Sequence, residues 1–143
     1  MEVLPINEEC ARTLFAALKL EGFFPELTPI DARMLFPRSA LEKYAANSAV
    51  VNQGDAGRDL YIIHSGTVCV TQTFGSAGGQ LSNLSAGDIF GEIGLVKDGI
   101  RRATVLTTTD SLIFRLAFQD VQYLLKNNSK LGEHLQALAT SRS

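Results

Sequence analysis

Through the middle of the chain, apolar and polar residues alternate with a period of two, in short runs that glycine-containing turns separate. Leu60–His64 (LYIIH) and Thr67–Thr73 (TVCVTQT) flank one such turn and predict a β-hairpin. Val105–Thr108 and Leu112–Leu116 predict a last pair of strands. With about eight short strands over residues 40–116, the pattern predicts a mainly β domain, built as a sandwich, roll or barrel.

Glycines mark the turns between these runs. Gly54-Asp55 and Gly87-Asp88 predict two tight turns, because glycine adopts backbone conformations that other residues avoid. The run GSAGG, Gly75–Gly79, predicts a flexible loop. Short strands joined by short turns are typical of an all-β domain.

The period is helical at both ends of the chain. Cys10, Leu14 and Leu18 recur every four residues, and all four prolines lie in the same N-terminal part. Residues 1–39 are therefore predicted to form N-terminal helices, which flank the β region. Residues 117–143 are predicted to form two further helices.

The two C-terminal helices are separated by a polar break. Phe118 and Val121 begin the first apolar face, and Asn127–Ser129 interrupts it, with Ser129 placed to cap the next helix. A second apolar stripe follows on the last helix, at Leu131, Leu135 and Leu138. The prediction is one domain over residues 1–143, with helices on both sides of an eight-stranded β region.

Composition excludes several classes of protein. The 143 residues suffice for one domain, and the net charge of -2 with a pI near 5.6 argues against a general nucleic-acid binder. Cys10 and Cys69 are the only cysteines, which indicates a reducing compartment. The N-terminus lacks the pattern of a signal peptide, and no apolar run is long enough to span a membrane. These features predict a cytoplasmic protein.

Catalytic and metal-binding signatures are missing from the sequence. His64 and His134 are the only histidines, and neither has metal-ligand spacing to the other or to a cysteine. Ser65 lies in no Gly-x-Ser-x-Gly elbow, and the chain has no Walker loop and no dinucleotide fingerprint. We therefore expect no catalytic residue, no metal and no cofactor in this chain, and no enzymatic activity.

The stretch FGEIGLVKDGIRRATV, Phe90–Val105, combines an acid, glycines and arginines. Gly91 and Gly94 allow close approach of a ligand to the backbone, and a short helical turn there would point free N–H groups outward. Arg101 presents donors that match two phosphate oxygens, while ionised Glu92 accepts from a hydroxyl. On spacing alone, an acid and an arginine that flank a loop are more often a surface ion pair, and the glycines would then only mark turns.

The longer stretch GDIFGEIGLVKDGIRRATV, Gly87–Val105, resembles the phosphate-binding cassette of the cyclic nucleotide-binding domain family. That family includes regulatory subunits of cAMP-dependent protein kinase, catabolite activator proteins and cyclic-nucleotide-gated channels. VVNQGDAGRDLYIIHSGTVCV, Val50–Val70, resembles the second to fourth strands of the same family. The resemblance covers residues 23–140 and implies a jelly-roll-like β-roll with flanking helices.

The resemblance also implies a ligand, cAMP or cGMP, and a role for each matching residue. Glu92 and the Gly91 carbonyl would bind the ribose 2′-hydroxyl, and Arg101 would bind the cyclic phosphate. The cassette would occupy residues 88–105. Its remaining ligand-binding positions would be Ile93, Gly94, Arg102 and Ala103. The last helix would cover the base, with Leu131, Leu135 and Leu138 as lid residues, although an apolar stripe packed on the roll fits the same pattern.

Two positions depart from the family pattern. Ile100 replaces the proline that usually precedes the arginine, and Arg102 replaces a small residue or threonine. Because threonine at that position often accompanies guanine binding, its absence favours cAMP over cGMP.

These departures leave a second function open. A domain of the same fold that binds no nucleotide would act as a protein-interaction or dimerisation module. An effector protein or domain, or a second copy of the chain, would be the partner in either case. The chain ends at Ser143 without a recognition helix, so we expect no DNA binding from it, and no membrane binding.

Overall fold

The computed structural model describes residues 1–6, 12–14, 16, 36–74, 77–90, 100–101 and 103–127. Within them the chain forms nine strands and the helix α1, Phe118–Asn127. Residues 12–14 and 16 are also helical. The prediction of a mainly β fold with flanking helices is confirmed.

The strands form two antiparallel sheets. The first sheet has five strands in the order β1-β2-β9-β4-β7, which are Glu2–Leu4, Ala40–Tyr44, Ser111–Leu116, Leu60–Ser65 and Ile89–Phe90. The second sheet has four strands in the order β3-β8-β5-β6, which are Ala49–Val51, Thr104–Thr107, Thr67–Phe74 and Ala77–Ser85. Successive strands frequently change sheet, as in a β-roll.

The core lies between the two sheets. Both sheets contribute to one cluster of buried residues, made of Tyr44, Tyr61, Ile63, Val68, Phe90, Val105 and Ile113. The opposite face of the first sheet is buried as well, because Ile62 on β4 and Phe114 on β9 are fully covered. Strands β4 and β9 therefore read as nearly continuous apolar runs, since both of their faces pack against protein.

The predicted hairpin between β4 and β5 is wrong. β4 pairs with β7 and β9 in the first sheet, whereas β5 pairs with β6 and β8 in the second. Gly66, which joins them, has a φ of 98°, and the turn carries the chain from one sheet to the other. A glycine turn looks the same in sequence whether its strands pair or cross, so alternation could not distinguish the two outcomes.

The predicted last two strands are confirmed, but they lie in different sheets and do not pair with each other. β8 and β9 both exist, but β8 pairs with β3 and β5, and β9 pairs with β2 and β4. The residues between them, Thr108–Asp110, again connect the two sheets. Each of these short connections links the layers that enclose the core.

Two further boundaries differ from the sequence predictions. Glu2–Leu4 is an edge strand on β2, although residues 1–39 were expected to be helical. Three residues before Pro5 are too few to show a period, and pairing with an open sheet edge decides their conformation. In the predicted loop Gly75–Gly79, β6 already begins at Ala77, and Gly78 pairs with Thr73. The turns at Gly54 and Gly87 are confirmed, with φ values of 90° and 89°.

Candidate functional site

Two of the predicted ligand-binding residues, Arg101 and Ala103, lie in the described part of the chain. The others fall outside the described residues, as do the predicted lid residues: these are Gly91, Glu92, Ile93, Gly94, Arg102, Leu131, Leu135 and Leu138. Ala103 is partly buried and directly precedes β8. The site is therefore built here from Arg101 outward.

The backbone of Arg101 is fixed by the loop between β3 and β4. The Arg101 N–H donates to the Asp55 carbonyl at 2.8 Å, and the Gly54 N–H donates to the Arg101 carbonyl at 2.8 Å. Ile100 forms an isolated antiparallel bridge with Ala56. We call residues 54–59 the strap, because this segment runs alongside the arginine and holds it at the end of the roll.

The guanidinium of Arg101 is buried, with the residue only 7% exposed. Its Nη2 donates to the Asp59 carbonyl at 3.0 Å, and its Cζ lies 5.6 Å from the centre of the Tyr61 ring. A cation over an aromatic face at this distance is attracted by the ring quadrupole. A buried charge is costly unless it is compensated, and the carbonyl and the aromatic ring both compensate this one. The ion pair with Glu92 that spacing alone allowed involves a residue outside the described part of the chain.

Gly57 of the strap leaves room for that side chain. A Cβ atom at position 57 would lie 3.0 Å from the Arg101 Nε and 3.1 Å from its Nη2. Any larger residue would therefore press on the guanidinium unless the arginine moved. The absence of a side chain at Gly57 allows the strap backbone to pack directly against Arg101.

Tyr61 connects the two ends of the motif segment. Its ring stacks on Phe90 with centroids 5.0 Å apart and an interplanar angle of 6°, and Arg101 lies over the same ring system. Burial raises the pKa of the Tyr61 phenol above its ordinary value, although the Arg101 charge acts in the opposite direction. Phe90 and Arg101, at the two ends of the motif segment, thus both contact one aromatic side chain.

Asp59 links the strap to the C-terminal helix. Its Oδ1 accepts from the backbone N–H of Phe118 at 2.9 Å, and its Oδ2 accepts from Arg115 Nη1 at 3.3 Å. Arg115 Nε also donates to Glu42 Oε2 at 3.1 Å, and Glu42 Oε1 accepts from the Tyr44 hydroxyl at 2.6 Å.

These contacts shift the titration of Arg115. Burial alone would lower its pKa, but the hydrogen bond to Glu42, together with the charges of Glu42 and Asp59, raises it above the ordinary value. Arg115 therefore stays charged and holds both carboxylates.

Sequence reasoning missed Gly57, Asp59 and Tyr61 as parts of the site. The segment GDAGRDLY was predicted to be a turn followed by a strand. Its second glycine, Gly57, was the one sequence feature that could have indicated close packing of this segment against another group. Close approach of the backbone to another group was predicted only for Gly91 and Gly94 of the motif, whereas Gly57 also requires it, against Arg101. The contacts of Asp59 with Arg101 and Phe118 span more than forty residues of sequence, so no local pattern announces them.

Chemically, the arrangement presents a buried, oriented guanidinium, which suits an anion with two or more oxygens. Among the described residues, no group of three or more His, Cys, Asp or Glu side chains is placed to hold a metal ion. In the same part of the chain, no helix is long and apolar enough to cross a membrane.

The chain belongs to the cyclic nucleotide-binding domain family. The family model, described as the cyclic nucleotide-binding domain, matches residues 41–128, which is more than half of the chain. The match contains the strap, the motif segment, Arg101 and all of α1.

Two curated relatives carry names of different kinds, one of a regulatory subunit and one of a phosphodiesterase. A cAMP-dependent protein kinase regulatory subunit of Colletotrichum orbiculare is 29% identical over 69% of this chain and 25% of that protein. A cGMP-dependent 3′,5′-cGMP phosphodiesterase A of Dictyostelium discoideum is 31% identical over 100% of this chain and 16% of that protein. The chain thus spans about a quarter or less of the length of these relatives.

A solved structure confirms the fold. A cyclic nucleotide-binding domain from Methylobacillus flagellatus superposes with a TM-score of 0.78 at 20% identity, covering 98% of this chain and 83% of that one. At this identity the likeness shows the architecture, which is the β-roll with flanking helices.

Proposed function

We propose that this chain is a regulatory domain that binds a 3′,5′-cyclic nucleotide, with Arg101 holding the cyclic phosphate. The observation that carries the proposal is the buried guanidinium of Arg101, fixed by the strap and by Tyr61 at the end of the family's motif. A preorganised arginine binds a phosphate without first ordering a flexible side chain, which reduces the entropic cost of association. The whole chain would act as one domain.

The remaining contacts are proposed from the motif. Glu92 and the Gly91 carbonyl would accept from the ribose 2′-hydroxyl, and backbone N–H groups of the cassette would surround the phosphate. Those cassette positions are Ile93, Gly94, Arg102 and Ala103. A carboxylate repels a phosphate, so Glu92 is suited only to the sugar end of the ligand.

We propose cAMP as the preferred ligand over cGMP. The support is the residue after Arg101, which is Arg102 where a guanine-selective motif often has threonine. The relatives include one named for cAMP and one named for cGMP, so their names do not distinguish adenine from guanine. The residue at position 102 is therefore the support for this choice. Titrations with both nucleotides under identical conditions would measure the preference directly.

Signal transmission would run through the C-terminal helices. The ligand would favour a state in which the last helix covers the base, with Leu131, Leu135 and Leu138 as contacts. It can shift that equilibrium only by its difference in affinity for the two states. An effector protein or domain would read the change. The measurement is amide exchange over residues 117–143 with and without ligand, and greater protection there in the liganded protein is expected.

The direct test is calorimetry with cAMP on the Arg101→Ala variant. Hydrogen bonds to a charged group contribute about 1.5–3 kcal/mol each, so losing both bonds of a bidentate contact should weaken binding by about a hundred-fold or more. Arg58→Ala is the matched control, because Arg58 also lies on the strap but is exposed, with its guanidinium 5.4 Å from the Phe118 ring centre. Equal affinity of Arg101→Ala and wild type would contradict the proposal.

A second experiment separates binding from the alternative of an interaction module that holds no nucleotide. The purified wild-type protein is denatured, and released small molecules are analysed alongside the titration. Absence of cyclic nucleotide in the extract together with no heat of binding would favour the module. Weaker binding of a 2′-deoxy analogue, and of the Glu92→Ala variant, is expected if Glu92 binds the ribose.

A further inference from the structure

Asp59 contacts both the ligand-site arginine and the start of helix α1, using different atoms for each. Its backbone carbonyl accepts from Arg101 Nη2 at 3.0 Å. Its carboxylate accepts from the Phe118 N–H at 2.9 Å and from Arg115 Nη1 at 3.3 Å. The carbonyl that orients Arg101 is thus part of a residue whose side chain is tied to two other elements.

From this geometry we infer that Asp59 is a positioning residue for Arg101, and that its carboxylate acts by fixing the strap. This inference deepens the proposed function and rests on it. When the Asp59 carboxylate is held in place, the Asp59 backbone carbonyl is also held at the position where it accepts the hydrogen bond from Arg101 Nη2. Without the carboxylate, the strap loses its hydrogen bond to α1 and its ion pair with Arg115, and the guanidinium loses a fixed acceptor.

The anchor at α1 is a helix cap supplied from elsewhere in the fold. The first N–H groups of a helix have no acceptor within the helix, and a carboxylate is favoured there by the positive end of the dipole. Phe118 is the first residue of α1, and Asp59, 59 positions earlier in sequence, satisfies its N–H. The Asp59 carboxylate therefore takes the role that a capping residue next to the helix would normally have, and in doing so it holds the strap against α1.

The anchor at Arg115 is itself fixed in the core. Arg115 also binds Glu42, a residue only 4% exposed, and Glu42 accepts from the buried Tyr44 hydroxyl. Removal of one partner from such a network leaves the others with unpaired charge, so the members hold one another in place. Asp59 is the member of this network that reaches the strap and hence Arg101.

A double-mutant cycle tests whether Asp59 acts through Arg101. Affinity for cAMP is measured by calorimetry for wild type, Asp59→Ala, Arg101→Lys and the double variant. We expect Asp59→Ala to weaken binding by about ten-fold in wild type but by less than about two-fold in the Arg101→Lys background, because the guanidinium fork is then already lost. Asp59→Asn, which keeps an acceptor for the Phe118 N–H, should recover part of the affinity.

Asp110→Ala is the control for general loosening of the roll. Its carboxylate also accepts one backbone N–H at 2.9 Å, from Ala46, but at the opposite end of the strands. We expect this variant to bind cAMP as wild type does. Equal losses for Asp59→Ala in both backgrounds, or an equal loss for Asp110→Ala, would overturn the positioning role.

A measurement without ligand keeps this inference separate from the proposed function. The Nε–H signal of Arg101 is followed by NMR in the free protein, where a held guanidinium gives a sharp, slowly exchanging resonance. Broadening or loss of that signal in Asp59→Ala, but not in Asp110→Ala, is the expected result and supports positioning even if wild type binds no cyclic nucleotide. An unchanged signal in Asp59→Ala would overturn it, whatever the titrations show.

Discussion

The two ends of the β-roll are closed by different chemistry. At one end, which we call the arginine end, Arg101, Arg115 and Asp59 interact through charged groups and meet the start of α1. At the other, the hydroxyl end, neutral side chains bond to one another and to the backbone; these are Thr67, Thr107, Thr108, Thr109 and Ser111.

Both ends use a loop carboxylate that accepts from one backbone N–H at 2.9 Å: Asp59 accepts from Phe118 at one end, and Asp110 accepts from Ala46 at the other. Only at the arginine end is that carboxylate part of a charged network. Hydroxyl groups bonded to one another and to the backbone can stabilise the fold but offer little to an anion, whereas a buried guanidinium costs stability and suits binding. The predictions below therefore separate effects on unfolding from effects on affinity.

The largest expected effect is on stability, from Gly66→Ala at the hydroxyl end. A Cβ there would lie 2.2 Å from the Ser111 Oγ, and φ is 98°, so both packing and backbone oppose the substitution. We expect a loss of about 3 kcal/mol or more in the free energy of unfolding, measured with urea, and little change in cAMP affinity. Gly87→Ala, with a similar φ and open space around it, should lose less. Equal losses would contradict the packing argument.

Thr107→Val should cost about 2 kcal/mol of unfolding free energy, because it removes a buried hydroxyl but keeps its shape. That hydroxyl donates to the Ala45 carbonyl at 2.7 Å and accepts from the Ser48 N–H at 2.9 Å, and both groups would lose this partner. Thermal unfolding checks the value. The exposed neighbour Thr108 offers the control, since Thr108→Val should change stability by less than about 0.5 kcal/mol.

Tyr44→Phe should alter how stability depends on alkaline pH. Burial, then the hydrogen bond to Glu42, raise the pKa of the Tyr44 phenol above its ordinary 10.0. The unfolded chain loses this proton above about pH 10 while the folded protein keeps it, so the stabilisation is complete below that pH and is lost above it, by about 1.4 kcal/mol per pH unit. The free energy of unfolding is measured with urea between pH 9 and 11, at intervals of roughly half a unit. In Tyr44→Phe this free energy should fall less steeply with pH than in wild type, because the contribution of Tyr44 is absent. An unchanged slope would mean that Tyr44 is not protected by the fold.

Gly57→Ala should have the smallest effect on stability but a visible one on binding. The φ of Gly57 is not in the left-handed region, so the new Cβ acts mainly by pressing on the Arg101 guanidinium. We expect cAMP affinity to fall by about five-fold, with unfolding changed by less than about 1 kcal/mol. Wild-type affinity in this variant would show that the arginine tolerates displacement, and would weaken the contrast between the two ends.

Much of the secondary structure could be predicted because its causes are local. Alternation identified the strands around Tyr61 and Phe114, and a positive φ at Gly54 and Gly87 agrees with the predicted turns. The first C-terminal helix is present over Phe118–Asn127, as its apolar face predicted, and the rest of the predicted polar break lies outside the described residues. Arg101 could be singled out because its motif lies within one continuous stretch of sequence.

The sequence by itself determined most of the strands between residues 40 and 116, the turns at Gly54 and Gly87, and the motif to which Arg101 belongs, since neighbouring residues decide these features through backbone preference and period. Tertiary structure alone decided that β4 and β5 lie in different sheets, that Asp59 caps α1, and that Glu42 is buried beside Arg115. Those outcomes depend on groups that meet only after the two sheets pack, because hydrogen bonds and ion pairs form according to distance in space and leave no mark on the spacing of residues along the chain.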